Sequence, residues 1–87
     1  MMEYKITYKP SAQKELSLLP KHEYFAIKSA IEALKDNPYP SGCKKTHGKF
    51  ESCYRIRQGD YRVIYFVIKN EISIRIIKIG HRRDIYR

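Results

Sequence analysis

The fold of this chain is decided by residues 54–79, which read YRIRQGDYRVIYFVIKNEISIRIIKI. Three runs in this stretch are rich in Ile, Val and Tyr, residue types that are enriched in β-strands. Gly59-Asp60 and Lys69-Asn70 separate the runs and have the composition of tight turns. Glycine at the first central position fits a two-residue type II′ turn, so residues 59–60 are predicted to form the first loop. The stretch is therefore predicted to form three antiparallel strands.

The two turns predict the pairing of these strands. The first turn pairs Arg57 with Arg62. A second two-residue turn at residues 69–70 pairs Ile64 with Arg75. Since side chains alternate across a sheet, one face is predicted to be the core, and it collects Tyr54, Ile56, Val63, Tyr65, Val67, Ile72, Ile74 and Ile76. The other face collects Arg55, Arg57, Arg62 and Arg75, with Ile64, Phe66 and Ile77 among them.

The predicted arginine face has an electrostatic problem. Arg57 and Arg62 lie directly opposite each other, and like charges at paired positions destabilise a sheet. A bound anion relieves the repulsion, and the guanidinium fork suits phosphate. The alternative is a solvated basic face with its charges fanned apart, because surface charges away from special sites cost little.

Size and charge limit the function classes. The chain has 87 residues, so residues 1–87 are predicted to form one domain. Eighteen Lys and Arg residues against nine Asp and Glu give a formal charge of +9, which favours nucleic acid, an acidic protein or an anionic membrane surface as partner. No segment is apolar for long enough to span a bilayer, and no signal-peptide core is present, so we expect a cytoplasmic protein without a membrane partner.

The two cysteines predict no metal site. A disulfide scaffold needs more cysteines, and a cytosolic chain keeps its thiols reduced. Cys43, His47 and Cys53 are near one another in sequence and hint at zinc, but their spacing matches no closed four-ligand pattern. We therefore expect a buried Cys53 and an incidental Cys43.

The first half of the chain predicts one strand and two helices. Glu3–Lys9 alternates as a half-buried strand does. A short helix with Ser11 as its N-cap follows, and a second apolar helical stripe runs from Lys21 to Asp36. The order strand, helix, helix and three strands predicts an α+β fold of about four strands, in which a helical hairpin covers one face and the arginine face stays open. The neighbour of the first strand does not follow from the sequence.

A long basic loop links the second helix to the sheet. The segment 37–42 breaks the helix, and the loop continues to about Phe50. Lys44, Lys45 and Lys49 lie in it and are candidate nucleic-acid-binding residues. A loop this long in a small domain is often functional, and a solvated connector is the alternative.

Two motifs resemble a known family. Residues 54–65, followed by IGHRRDIY at 79–86, resemble the toxins of the RelE/ParE superfamily of toxin–antitoxin systems. The opening is also similar, with Ala12-x-x-Glu15-Leu16 and Leu19-Pro20. The resemblance implies a RelE-like fold, a cognate antitoxin and no cofactor. The RelE branch cleaves mRNA in the A site of the small (30S) ribosomal subunit, whereas the ParE branch poisons DNA gyrase, and the ending at residues 80–86 is more similar to RelE-type members.

The same resemblance implies a set of site residues. Catalytic roles fall on Arg55 and Arg57 of the second strand, Arg62 at the start of the third, Arg82 after the fourth, and Tyr86. Arg75 and Arg83 join the loop lysines as candidate RNA-binding residues. The best-known RelE pattern has lysines on the second strand, where this chain has arginines.

The chemistry of the predicted reaction leaves the base open. RNA is cut without a metal when its own 2′-hydroxyl attacks the adjacent phosphorus, which needs a base, cations and an acid. Arginine supplies the cations but is a poor base, because its pKa exceeds about 12. His81 is the candidate base beside the arginines. Tyr86 is the alternative, as base, as acid, or stacked on a nucleobase.

Three functions remain open at this level. The first is a ribosome-associated RNA endonuclease, the second is a gyrase poison without nuclease activity, and the third is a basic nucleic-acid-binding module without toxicity. The charge of +9 alone accounts for the third.

Overall fold

The structure, a computed structural model, describes residues 3–85. Its elements in chain order are β1 (Lys5–Tyr8), α1 (Pro10–Ser17), α2 (Lys21–Ala33), β2 (Lys44–Lys45), β3 (Tyr54–Gln58), β4 (Tyr61–Ile68) and β5 (Ser73–His81). One-turn 3-10 helices occupy Gly48–Phe50 and Lys69–Glu71. The strands form one sheet in the order β1-β5-β4-β3-β2, so the predicted α+β class is confirmed.

The sheet differs from the prediction in strand number and direction. It has five strands rather than about four, because Lys44 and Lys45 form a two-residue edge strand beside β3. It is mixed rather than wholly antiparallel, because β1 runs parallel to β5 with Ile6 opposite Ile74. That pairing joins opposite ends of the chain, so no turn within the sequence specifies it.

The helix ends follow local rules. α1 begins at Pro10 rather than after a Ser11 cap, because the ring of proline presets φ and its missing N–H is not needed in the first turn. α2 ends at Ala33, three residues before the predicted end. Its last turn tightens, since Leu34 and Lys35 donate to carbonyls three residues earlier, at 3.0 and 3.1 Å.

The register of the first hairpin is confirmed. Arg57 lies opposite Arg62, and Arg55 lies opposite Ile64. Gly59 has a φ of +61°, as the first central residue of a type II′ turn requires. The turn chemistry was therefore sufficient to place the arginines of β3 and β4 on one face.

The predicted register of the second hairpin is wrong by two residues. Ile68 pairs with Ser73, so the connection is a four-residue loop and not Lys69-Asn70 alone. The 3-10 turn ends at Glu71, and Ile72 after it takes a left-handed φ of +49° and leaves the predicted core face. As a result Arg75 lies opposite Phe66 rather than Ile64.

A bulge in β5 shifts the register again. Tyr65 pairs with Ile76 while Ile64 pairs with Lys78, so Ile77 is the extra residue. Glu15 of α1 binds β5 next to the bulge. Its carboxylate accepts hydrogen bonds from the Ile79 N–H at 3.0 Å and from Lys78 Nζ at 2.8 Å. The bulge brings Ile79 rather than Ile76 opposite Val63.

The main core lies between the two helices and one face of the sheet. Its buried residues are Ala12, Leu16, Ile27, Ile31, Leu34, Ile56, Val63, Tyr65, Ile74, Ile76 and Ile79. Most of the core predicted for the sheet is among them, which confirms that the apolar alternation selects the face.

A second, smaller core covers part of the opposite face. Cys53, Ile64 and Ile85 are buried together there, with Phe50 and Ile77 packed against them. The loop before β3 and the turn after β5 supply three of these residues. The expectation of an open arginine face is therefore wrong over this area, although the expectation of a buried Cys53 is confirmed.

One buried hydroxyl ties the central strand to the long loop. Tyr65 Oη donates to the Pro38 carbonyl at 2.6 Å, and both residues are buried. Burial raises the pKa of the Tyr65 hydroxyl far above its ordinary value, and the adjacent Cys43 adds to the rise. The Tyr65 hydroxyl is therefore neutral in the folded chain.

We expect Gly59→Ala to lower the free energy of unfolding by about 1 kcal/mol, because a side chain disfavours the left-handed conformation. Gly80→Ala is the matched control: its added Cβ would lie an ordinary 3.9 Å from Ile85 Cδ1, and its φ is not left-handed. That change leaves stability equal or slightly higher. Urea unfolding of both variants measures the difference, and equal losses would contradict this account of the turn.

We expect the stability of the wild-type chain to decline as the pH rises above about 10, where tyrosine ionises in the unfolded chain but Tyr65 stays protonated in the folded one. Tyr65→Phe loses about 1 kcal/mol at neutral pH, because the hydrogen bond to Pro38 is lost. The variant should then decline less steeply with alkaline pH. Denaturant unfolding at neutral and alkaline pH measures how the stability of each protein changes with pH. An equal decline in the wild type and in Tyr65→Phe would contradict the raised pKa of Tyr65.

Candidate phosphate-binding site

Four cations share the sheet face that lies away from the helices. Arg55 and Arg57 alternate along β3 to this side, and Arg62 of β4 pairs with Arg57. Lys44 of β2 pairs with Arg55 and extends the row to the sheet edge. The predicted grouping of Arg55, Arg57 and Arg62 on one face follows from the register, whereas Lys44, predicted to lie in a loop, joins them through the edge strand.

Arg55 is the most unusual of these residues. It is 9% exposed, and its Nε atom is buried without a hydrogen-bond partner. The ion pairs formed by Lys28, Lys35 and Lys78 lie elsewhere in the molecule. A buried charge without a counter-ion is destabilising, so this position favours a bound anion.

Arg57 and Arg62 concentrate charge next to Arg55. In a two-residue hairpin the pair beside the turn exchanges hydrogen bonds and the next pair does not, so these two Cα atoms are about 4.5 Å apart. Arg57 is exposed, whereas Arg62 is half-buried with a buried Nε. An anion between the two guanidinium groups lowers their mutual repulsion.

The turn after β5 brings Arg82 to the same end of the sheet. The Arg82 N–H donates to the Asp60 carbonyl at 2.8 Å, and Asp60 lies in the turn between Arg57 and Arg62. Arg82 is exposed, as is Arg83 beside it. The backbone bond therefore fixes Arg82 next to the end of the arginine pair.

His81 lies on the other side of the sheet from the arginines. It pairs with Tyr61, whose ring packs against the main core, and the two ring centroids are 5.7 Å apart. Arg62 instead pairs with Gly80. The expected adjacency of His81 to the arginine cluster is therefore corrected, because β5 arrives in a different register.

One ring nitrogen of His81 is already in a hydrogen bond. Its Nδ1 accepts the Arg83 N–H at 3.1 Å. A neutral imidazole in this arrangement carries its proton on Nε2 and offers a donor there. Proton abstraction through Nδ1 would require this hydrogen bond to break.

The other predicted residues are spread more widely. Arg75 shares the arginine face but lies opposite Phe66, about 13 Å along β4 from Arg62 at the usual rise per residue. Lys45 pairs with Tyr54 and alternates to the helix side. Lys49 lies in the loop, with Nζ 5.7 Å from the centre of the Phe50 ring. Tyr86 lies outside the described residues.

An open cavity adjoins the cation row and was not anticipated from the sequence. Its volume is about 520 Å³, and Lys44, Arg55 and Arg57 line one side. Ala30 and Ala33 of α2 line the other. The small alanine side chains leave this space, and no sequence signal short of the tertiary packing brings them beside β3.

Residues 3–85 contain no group of three or more His, Cys, Asp and Glu side chains that could hold a metal ion. Burial raises the pKa of the Cys53 thiol, which favours its protonated form. Within that same part of the chain, no helix is both long and apolar enough to cross a membrane.

Comparison with known proteins assigns the family. A family model described as the ParE toxin of the type II toxin-antitoxin system parDE matches residues 6–86. The putative toxin RelE1 of Methanocaldococcus jannaschii is 34% identical over 89 residues, which cover 99% of this chain and 98% of that protein. Toxin RelG of Mycobacterium tuberculosis is 28% identical over 99% of each chain.

Solved structures agree with this assignment. The archaeal RelE-RelB complex from Pyrococcus horikoshii contains a chain with a TM-score of 0.81 and 32% identity, and the match covers 95% of this chain and 99% of that one. The isolated Escherichia coli RelE toxin shares the fold, with a TM-score of 0.77 at 24% identity over 90% and 83% of the two chains.

The fold and its cation row thus define a small basic toxin. The chain belongs to the RelE/ParE superfamily of type II toxin–antitoxin toxins.

We expect Arg55→Met to raise the free energy of unfolding by about 1 kcal/mol or more, because it replaces a buried unpaired charge with an apolar side chain. The same variant should lose the thermal stabilisation that inorganic phosphate gives the wild type. Thermal unfolding in phosphate and in chloride of equal ionic strength measures both effects. Arg75→Met is the matched control and should keep the phosphate response; a retained response in Arg55→Met would contradict the site.

Proposed function

We propose that this toxin is an endoribonuclease that cleaves mRNA in the ribosomal A site. The observation that carries the proposal is the buried, unpaired guanidinium of Arg55 in a row with Lys44, Arg57 and Arg62. Phosphodiester groups supply the missing counter-charge, and arginine recognises them by paired hydrogen bonds. A ribosomal target places the action of the protein in the cytoplasm.

In the proposed mechanism the arginines stabilise charge. The 2′-hydroxyl gives up its proton and its oxygen attacks the adjacent phosphorus. The P–O5′ bond breaks, which leaves a 2′,3′-cyclic phosphate, and the departing 5′ oxygen takes up a proton. The non-bridging oxygens gain negative charge as the new bond forms. Arg55, Arg57 and Arg62 hold donors toward these oxygens before the reaction begins, which is the arrangement that lowers the barrier most. Arg82, whose backbone N–H donates to Asp60 at the end of the sheet, is proposed to supply a fourth guanidinium.

Proton transfer is assigned to Tyr86. Arginine does not accept a proton from the 2′-hydroxyl at ordinary pH, because its pKa exceeds about 12. His81 is oriented toward the helices and has Nδ1 engaged by the Arg83 N–H. Tyr86 follows the described segment directly and is the remaining candidate from the sequence motif.

A cognate antitoxin is the proposed regulatory partner. The solved relative from Pyrococcus horikoshii is a RelE-RelB complex. A positive charge of +9 requires an antitoxin segment of complementary, acidic character. Carboxylates of that segment would neutralise the same guanidinium groups that bind RNA phosphate.

Gyrase inhibition is the second candidate. The matching family model carries the ParE description, which is the specific observation in its favour. A ParE-like toxin would stop DNA supercoiling and leave transcripts intact, so the two candidates differ in the molecule that is damaged.

We expect controlled expression of the wild type to stop protein synthesis and to produce transcripts cut within codons. Arg62→Ala should reduce cleavage about 100-fold, as does loss of one donor to a developing oxyanion in other enzymes. Thermal unfolding of the purified variant confirms that it is folded. Mapping of transcript 5′ ends, with incorporation of labelled amino acids, measures the result.

Arg75→Ala is the control, since it removes an arginine from the same face but far along β4. It should cleave as the wild type does. Intact transcripts together with inhibited purified gyrase would replace the nuclease by the ParE-like function. Harmless expression of folded wild type would leave a nucleic-acid-binding module without toxicity.

A further inference from the structure

Ile85 is fully buried although it follows the last strand of the sheet. It packs with Cys53 and Ile64 in the second core. A Cβ built on Gly80 would lie 3.9 Å from Ile85 Cδ1, so the isoleucine side chain sits above Gly80. The chain therefore turns back over the arginine face directly after β5.

The position of Ile85 within that face is specific. Gly80 is the cross-strand neighbour of Arg62, and Ile64 is the cross-strand neighbour of Arg55. Ile85 contacts positions beside both arginines and forms an apolar wall next to them. The Nε atoms of both arginines beside this wall are buried.

The intervening turn is held by backbone hydrogen bonds. The N–H groups of Asp84 and Ile85 donate to the His81 carbonyl at 2.9 and 3.1 Å. The Arg82 N–H donates to Asp60 at 2.8 Å. These short-range bonds shape the turn, but Ile85 supplies its buried side-chain attachment to the sheet.

We propose that Ile85 is a positioning residue that completes the phosphate site. Its side chain holds the turn 82–85 against the sheet and so keeps the Arg82 guanidinium beside the Arg57–Arg62 pair. It also excludes water from one side of Arg55 and Arg62, and guanidinium–phosphate attraction is stronger where the surroundings are less polar. This inference rests on the proposed function only in taking RNA phosphate as the anion.

The experiment compares Ile85→Ala with Ile77→Ala. Both variants remove the same atoms from the same small core, but Ile77 lies within β5 and does not hold the turn. The probe is a short single-stranded RNA whose 2′-hydroxyls are methylated, so that binding is measured without cleavage. Affinity is measured at several salt concentrations, and unfolding curves confirm that each variant is folded.

We expect Ile85→Ala to weaken binding about tenfold and to flatten the slope of log affinity against log salt by about 0.7, the value for one phosphate contact on a single strand. Ile77→Ala should keep the wild-type slope. Ile85→Val should keep most of the wild-type affinity, because valine fills most of the space that alanine leaves empty.

A wild-type slope in Ile85→Ala, or an equal change in Ile77→Ala, would overturn the inference and leave any observed RNA cleavage unaffected. A flattened slope in Ile85→Ala alone, found together with a wild type that cleaves no transcript, would support the inference and overturn the proposed nuclease. The two ideas therefore fail by different results.

Discussion

The like-charge pair Arg57–Arg62 is the constraint on which the functional face depends. A two-residue turn with a left-handed Gly59 holds the pair in place, and that turn leaves β3 and β4 no other register. The same register puts Arg55 beside Lys44 and opposite Ile64. The main core lies on the opposite face of the sheet and supplies most of the apolar burial that stabilises this arrangement.

The two faces of the sheet carry separate hydrophobic cores. The helices bury one face, and their packing provides most of the apolar burial. The small cluster of Cys53, Ile64 and Ile85 has fewer residues but lies beside Arg55 and Arg62. Apolar walls next to guanidinium groups raise the cost of leaving them without an anion, so this cluster favours ligand binding at the expense of stability.

The path of β5 determines which residues reach the site. Its four-residue entry loop and its bulge bring Gly80 opposite Arg62 and His81 opposite Tyr61. Glu15 of α1 accepts the Ile79 N–H within the bulged region, so the helix layer supports the geometry of the far face. Moving β5 by one residue would exchange every side chain between the faces.

The sequence by itself determined the two helices, four of the five strands, the main core face, the first hairpin register and the family resemblance, because turn chemistry and alternation are local properties. The tertiary structure alone decided the parallel pairing of β1 with β5, the edge strand β2, the distance of Arg75 and the side of the sheet on which His81 lies. The burial of Ile64, the cross-strand neighbour of Arg55, likewise required Phe50 and Ile85 to pack against it. These features depend on contacts between distant segments, whose free energy no local pattern of residues encodes.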